Sequence, residues 1–163
     1  MHLNVVLNYD LSVDEVVDLQ CDEGFLQFKA DETKTVLLAA DVIRHDGGAV
    51  TSAVRRTMTS DLIPALGGNQ LEVRQTEAGA EPELSPGTRH GTFALEITGA
   101  PVRISGSMTV RAADAGAVLE YAGDVVASVP LFAATVETAV GQAITQVLVD
   151  EEALARQWLA SRS

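Results

Sequence analysis

Residues 129 to 160, VPLFAATVETAVGQAITQVLVDEEALARQWLA, constrain this chain more than any other stretch. Only Gly141 interrupts the run and no proline follows Pro130. A helix over residues 131 to 160 would extend roughly 45 Å at about 1.5 Å per residue. Phe132, Val136, Val140, Ala143, Ile144, Val147, Leu154 and Trp158 recur at helical spacing and form one apolar stripe, while Thr138, Gln142, Thr145 and Arg156 point away. Ala133, Ala139 and Ala143 keep the first half of the helix slim, and Leu154, Trp158 and Leu159 close the far end. A stripe of that length needs an equally long apolar partner.

The rest of the chain supplies that partner as strands. In LNVVLNY, Leu3, Val5, Leu7 and Tyr9 alternate with Asn4, Val6 and Asn8, the period of a half-buried strand. Ser12, with Glu15 three residues on, forms a capping box for a short helix through Val13, Val16, Val17 and Leu19. FLQFKADE reads as a second short helix after Gly24. Two β-branched runs flank Asp46-Gly47-Gly48 as a hairpin. SDLIPALGG is expected to be a loop or short helix, QLEVRQTEA a strand, and GAEPELSPGTRHG a loop. TFALEITG, VRISGSMTVRA and AVLEYAGDVVAS follow as strands whose short connections imply antiparallel neighbours. The expected class is α+β, one domain over residues 1–163. A curved antiparallel sheet of about six or seven strands would wrap the C-terminal helix, with short helices after the first strand.

Charge narrows the partners. The chain carries 23 acidic and 11 basic residues, a net charge of −12, and no basic run. Nucleic acid and anionic membrane surfaces both require cationic neutralisation, so neither is an expected partner. The lone Cys21 excludes an internal disulfide and a cysteine metal cluster. MHLNVVLNYDLS lacks the pattern of a secretory signal, and Glu137 and Asp150 interrupt the apolar tail. A cytoplasmic, soluble monomer or weak dimer without stable membrane insertion is the expectation.

The passage from last strand to terminal helix, VASVPLFAATVETAVGQAI, resembles the START-like helix-grip (SRPBCC) superfamily of lipid-transfer domains, polyketide cyclases and coenzyme Q-binding proteins. Within it, Val129-Pro130-Leu131 is similar to a bacterial family of unknown function, although Phe132-Ala133-Ala134 stands where that family's pattern has glycines. The resemblance implies an apolar cavity between sheet and helix that holds a hydrophobic or lipid-like small molecule.

The residues expected to line such a pocket are Arg56, Met58, Phe93, Leu95, Met108, Tyr121, Val136, Val140, Ile144 and Glu151. Arg56 shares a strand face with Val50, Val54 and Met58, and Glu151 sits within the helix stripe, so the two are candidates for an internal ion pair. The plainer reading turns Arg56 out at a bulge or at the rim. His2, His45 and His90 are expected in a terminal strand, a hairpin turn and a loop, converging on no pocket. No H-E-x-x-H, G-x-S-x-G or P-loop motif is present, so no catalytic residue, metal or cofactor is expected. Non-catalytic binding of a hydrophobic or amphipathic molecule is the first expectation. A polyketide cyclase or aromatase-like enzyme is the second, and a protein-interaction domain with a filled core the third.

Overall fold

The computed structural model describes residues 1–59, 70–79, 87–98 and 100–162, and the side chains of Met58, Thr59, Gln70 and Leu71 lie outside that description. The expected loop or short helix at residues 60–68 is likewise outside the described residues.

Strand β1 (His2–Tyr9) alternates strictly, with Leu3, Val5, Leu7 and Tyr9 buried and their neighbours exposed. Helix α1 (Val13–Gln20) begins at the capping box: Glu15 N–H donates to Ser12 Oγ (3.2 Å) and Ser12 N–H to the Glu15 carboxylate (3.1 Å). Two orphan amides are satisfied reciprocally, which is why a short helix can start there. Asp22 then caps α2 (Glu23–Glu32) by accepting from Phe25 N–H at 3.0 Å. Strands β2 (Leu37–Arg44) and β3 (Val50–Thr59) flank a tight turn over Asp46–Gly48, where Gly47 and Gly48 take φ of 83° and 95°. Only glycine adopts such angles without strain. Strands β4 (Gln70–Gly79), β5 (Thr88–Thr98), β6 (Val102–Ala113) and β7 (Gly116–Ala127) precede α3 (Ala133–Ser161).

All seven strands form one antiparallel sheet in the order β1-β7-β6-β5-β4-β3-β2. The first strand therefore pairs with the last. The two early helices and α3 cover the concave face, giving an α+β helix-grip-like arrangement. Gly106 and Gly123 face each other across β6 and β7, and a Cβ on either would collide with the opposite backbone. Their missing side chains let the sheet curl tightly at this point.

Helix α3 buries Val136, Val140, Gly141, Ile144, Leu148, Glu151 and Ala155, and packs on β1, β7 and α2. Trp158 closes its far end against Phe28 and Phe25, with ring centroids 5.5 and 6.2 Å apart. Two expectations need correction. Phe132 is 62 % exposed, because the helix begins at Ala133 after Leu131 turns through φ 69°. His90 and its neighbours from Thr88 belong to β5, since they pair with β6 from Arg111 inward.

Candidate functional site

The sheet register defines the concave face. Directly paired residues point to the same side, so Val50, Ser52, Val54 and Arg56 of β3 face inward with Gly79, Glu77, Gln75 and Val73 of β4. The same ladder continues through Phe93 and Leu95 on β5, Met108 on β6 and Tyr121 on β7.

A pocket opens between α1 and this face. Val17, Val50, Met108, Val110 and Leu119 make most of its wall, and Gln20, Cys21, Ser52, Glu77 and Arg89 supply its polar groups. Its inner space is about 40 Å³, and with its solvent-filled mouth the cleft encloses about 500 Å³. A water needs about 10–15 Å³ of such inner space, so the closed pocket holds a few waters or a short alkyl chain. A larger ligand would have to occupy the mouth or open it.

Glu77 is the chemical focus. Its Oε1 accepts from Gln75 Nε2 at 2.7 Å and from the Tyr121 hydroxyl at 3.3 Å. Burial raises the Glu77 carboxyl above its ordinary range and the negative charge of Glu151 adds to this, while Gln75, Lys29 and Tyr121 pull it back. Tyr121 is fully buried, and its edge-to-face contact with Phe93 has a centroid separation of 5.2 Å. Burial pushes its hydroxyl far above the ordinary tyrosine value, with Glu77 adding to the shift. Tyr9, whose hydroxyl accepts from Gln20 Nε2 at 3.3 Å, is raised by burial and by Glu151. Both phenols are therefore neutral hydrogen-bonding groups across the physiological range.

Two further contacts frame the site. Arg89 lines the pocket and spans its mouth, donating to Gly48 O on the β2–β3 turn (2.7 Å) and to Asp14 of α1 (3.3 Å). Cys21, half-buried on the pocket wall, has its thiol pushed up by burial. Deeper, Lys29 Nζ meets Glu151 Oε1 at 3.0 Å, with side chains only 8 % and 4 % exposed. Lys29 also lies 4.9 Å from the Phe25 ring centroid.

The residues singled out from sequence scatter over this interior. Met108 lines the pocket. Tyr121 and Phe93 adjoin it through Glu77, and Leu95 is buried one pair further along β5. Val136, Val140 and Ile144 are packed into the core on α3 and do not line this pocket. Glu151 is buried, but its partner is Lys29 rather than Arg56. Arg56 is half-buried opposite Val73 and Leu37 and makes no ion pair with a described residue. The side chain of Met58 lies outside the described residues. His90, expected to converge on no pocket, borders this one, but its ring lies exposed beside Thr109 on the other face of β5.

Glu77, Gln75, Arg89 and Lys29 were not singled out, although two signals pointed to three of them. Counting by twos from Val73 puts Gln75 and Glu77 on the inner face of β4. Counting by four from Phe25 puts Lys29 on the buried side of α2. The described residues contain no group of three or more His, Cys, Asp or Glu placed to hold a metal ion. Nor is any described helix long and apolar enough to cross a membrane.

Comparison with known proteins agrees with this architecture. The crystal structure of TTHA0849 from Thermus thermophilus is similar over 100 % of both chains, with a TM-score of 0.63 and 13 % sequence identity, a likeness of fold alone. No curated protein matches the chain. Residues 4–159 match the family described as "Protein of unknown function (DUF2505)". With nearly its whole length matched, the chain belongs to the DUF2505 family.

Proposed function

We propose that this chain binds a small hydrophobic or amphipathic molecule non-covalently in the pocket between α1 and the concave sheet. The observation that carries the reading is a single carboxyl, Glu77, held by Tyr121 and Gln75 at an otherwise largely apolar wall. Ligand sites commonly combine an apolar wall with a few placed polar groups. Burying ~150 Å² of apolar ligand surface would contribute about 4 kcal/mol at ~25 cal/mol per Å², less the cost of ordering. The helix-grip-like architecture supports placing the family within the START-like superfamily, with a lipid-like ligand as the natural class.

A cyclase-like enzyme is the second reading. It is favoured by the same Glu77, whose raised carboxyl beside a neutral tyrosine hydroxyl has the make-up of a general acid or base.

The test is native mass spectrometry of freshly purified protein, organic extraction, and titration with short alkyl alcohols and amines. A small-molecule adduct lost on denaturation, and weakened in a pocket-filling Met108→Trp variant, supports binding. No adduct from cells and no saturable binding of any probe overturns it. Turnover of a polyketide-like substrate that disappears in Glu77→Gln would favour the enzyme.

A further inference from the structure

We propose that the pocket selects a hydrophobic amine, whose ammonium group is held by Oε2 of Glu77 while its hydrocarbon body lies against Val17, Val50, Met108 and Leu119. This inference rests on the pocket being a ligand site and adds the chemistry of its occupant.

The first argument is geometric. Both donors that reach Glu77, the amide of Gln75 and the hydroxyl of Tyr121, converge on Oε1. No described residue donates to Oε2, and Glu77 is part of the pocket lining. A carboxyl with one oxygen doubly satisfied and the other unshared is a directional acceptor, and an ammonium group is a compact triple donor that fits it.

The second argument is a charge balance. Across this interior Glu77 feels the negative charge of Glu151 and the positive charge of Lys29. Lys29 is committed to Glu151 at 3.0 Å. Arg89 lines the same pocket, yet its guanidinium is turned to Asp14 and Gly48 O at the mouth. Among the described residues, an ionised Glu77 therefore has neither Lys29 nor Arg89 paired to it. An ionised carboxylate left unpaired among apolar side chains is costly, and an incoming ammonium would relieve that cost. A ligand carboxylate would instead double the negative charge.

The third argument is the wall itself. Most of the pocket wall is valine, leucine and methionine, so a small hydrated cation entering it would give up water with few groups to replace it. An alkyl or aryl amine brings its own apolar body. The net charge of −12 also raises the local concentration of cations around the molecule.

A matched series tests this on the intact chain: hexylamine, 1-hexanol and hexanoate, titrated by calorimetry against wild type and Glu77→Gln. We expect wild type to bind hexylamine at least ten-fold more tightly than hexanol and to show no hexanoate binding. In Glu77→Gln the amine preference should vanish while hexanol binding persists, with an unchanged circular dichroism spectrum as the check on folding. Hexanol binding as tightly as hexylamine in wild type, or an amine preference that survives in Glu77→Gln, overturns the inference but leaves the pocket reading standing. Failure of all three probes overturns the inference, and the pocket reading falls with it if the freshly purified protein also carries no small-molecule adduct.

Discussion

The Tyr121 hydroxyl lies 3.3 Å from Glu77 Oε1 although their strands, β7 and β4, are separated by β5 and β6 in the sheet. On a flat sheet three strand spacings amount to about 14 Å, so this contact exists only because the sheet curls. Gly106 sits on the inner face between them, paired with Phe93 on one side and Gly123 on the other. With no side chain there, Phe93 and Tyr121 meet edge to face and the tyrosine reaches across to β4.

Glu77 makes stability depend on pH in a definite direction. Its carboxyl is raised above the ordinary 4.5 by burial, so the folded chain retains that proton to higher pH than the unfolded chain. Its favourable contribution is fully present below the ordinary value and is lost as pH rises through the folded value. Glu77→Gln keeps an acceptor for Tyr121 and Gln75 without the buried charge. The variant should melt at the same temperature as wild type in acid and at a higher one at neutral and alkaline pH. Paired melting curves from acid to alkali check this, and a constant offset would contradict it.

The Lys29–Glu151 pair ties α2 to α3 where almost no solvent reaches. Lys29→Met strands Glu151 without a partner and should destabilise the fold by about 3–5 kcal/mol in urea unfolding. Replacing both, Lys29→Met with Glu151→Leu, should recover most of that loss. Additive losses in the double variant would show the two side chains act independently.

Arg89 holds the pocket mouth from two sides, through Gly48 on the hairpin and Asp14 on α1. Arg89→Ala should speed amide exchange in Ala49 and Val50 and increase the labelling rate of Cys21, whose thiol lies on the pocket wall. A several-fold increase in thiol labelling at fixed pH, with the global unfolding midpoint little changed, is the expected result. An unchanged rate would mean that the mouth does not depend on this latch.

Val140 is fully buried on α3, away from the α1 pocket. Val140→Trp therefore overpacks a filled layer instead of plugging a cavity, and should cost about 1–3 kcal/mol. Urea unfolding measures it. A stable variant with blocked ligand binding would place the cavity under α3 instead.

Much of the architecture was legible because it rests on local patterns. The alternation of β1, the Ser12–Glu15 box, the Asp46–Gly48 turn and the apolar repeat of α3 each involve residues within a turn or two of one another. Period and capping act over that range, so the amino-acid order alone determined strand, helix and hairpin, and with them an α+β sheet gripping a helix. Even the buried position of Glu151 follows from its place in a helical stripe.

Partners across the fold are a different matter. Lys29 meets Glu151 across 122 residues, and Tyr121 meets Glu77 across 44. Nothing local to Lys29 distinguishes it from Arg56 as the base for Glu151; the approach of α2 to α3 makes that choice. Likewise the pocket lies under α1, where α3 already fills the layer over β1 and β7. The sequence determined which side chains point inward. Only the curl of the sheet and the docking of three helices decided which of them meet, because contact depends on how layers pack and not on the period of any one element.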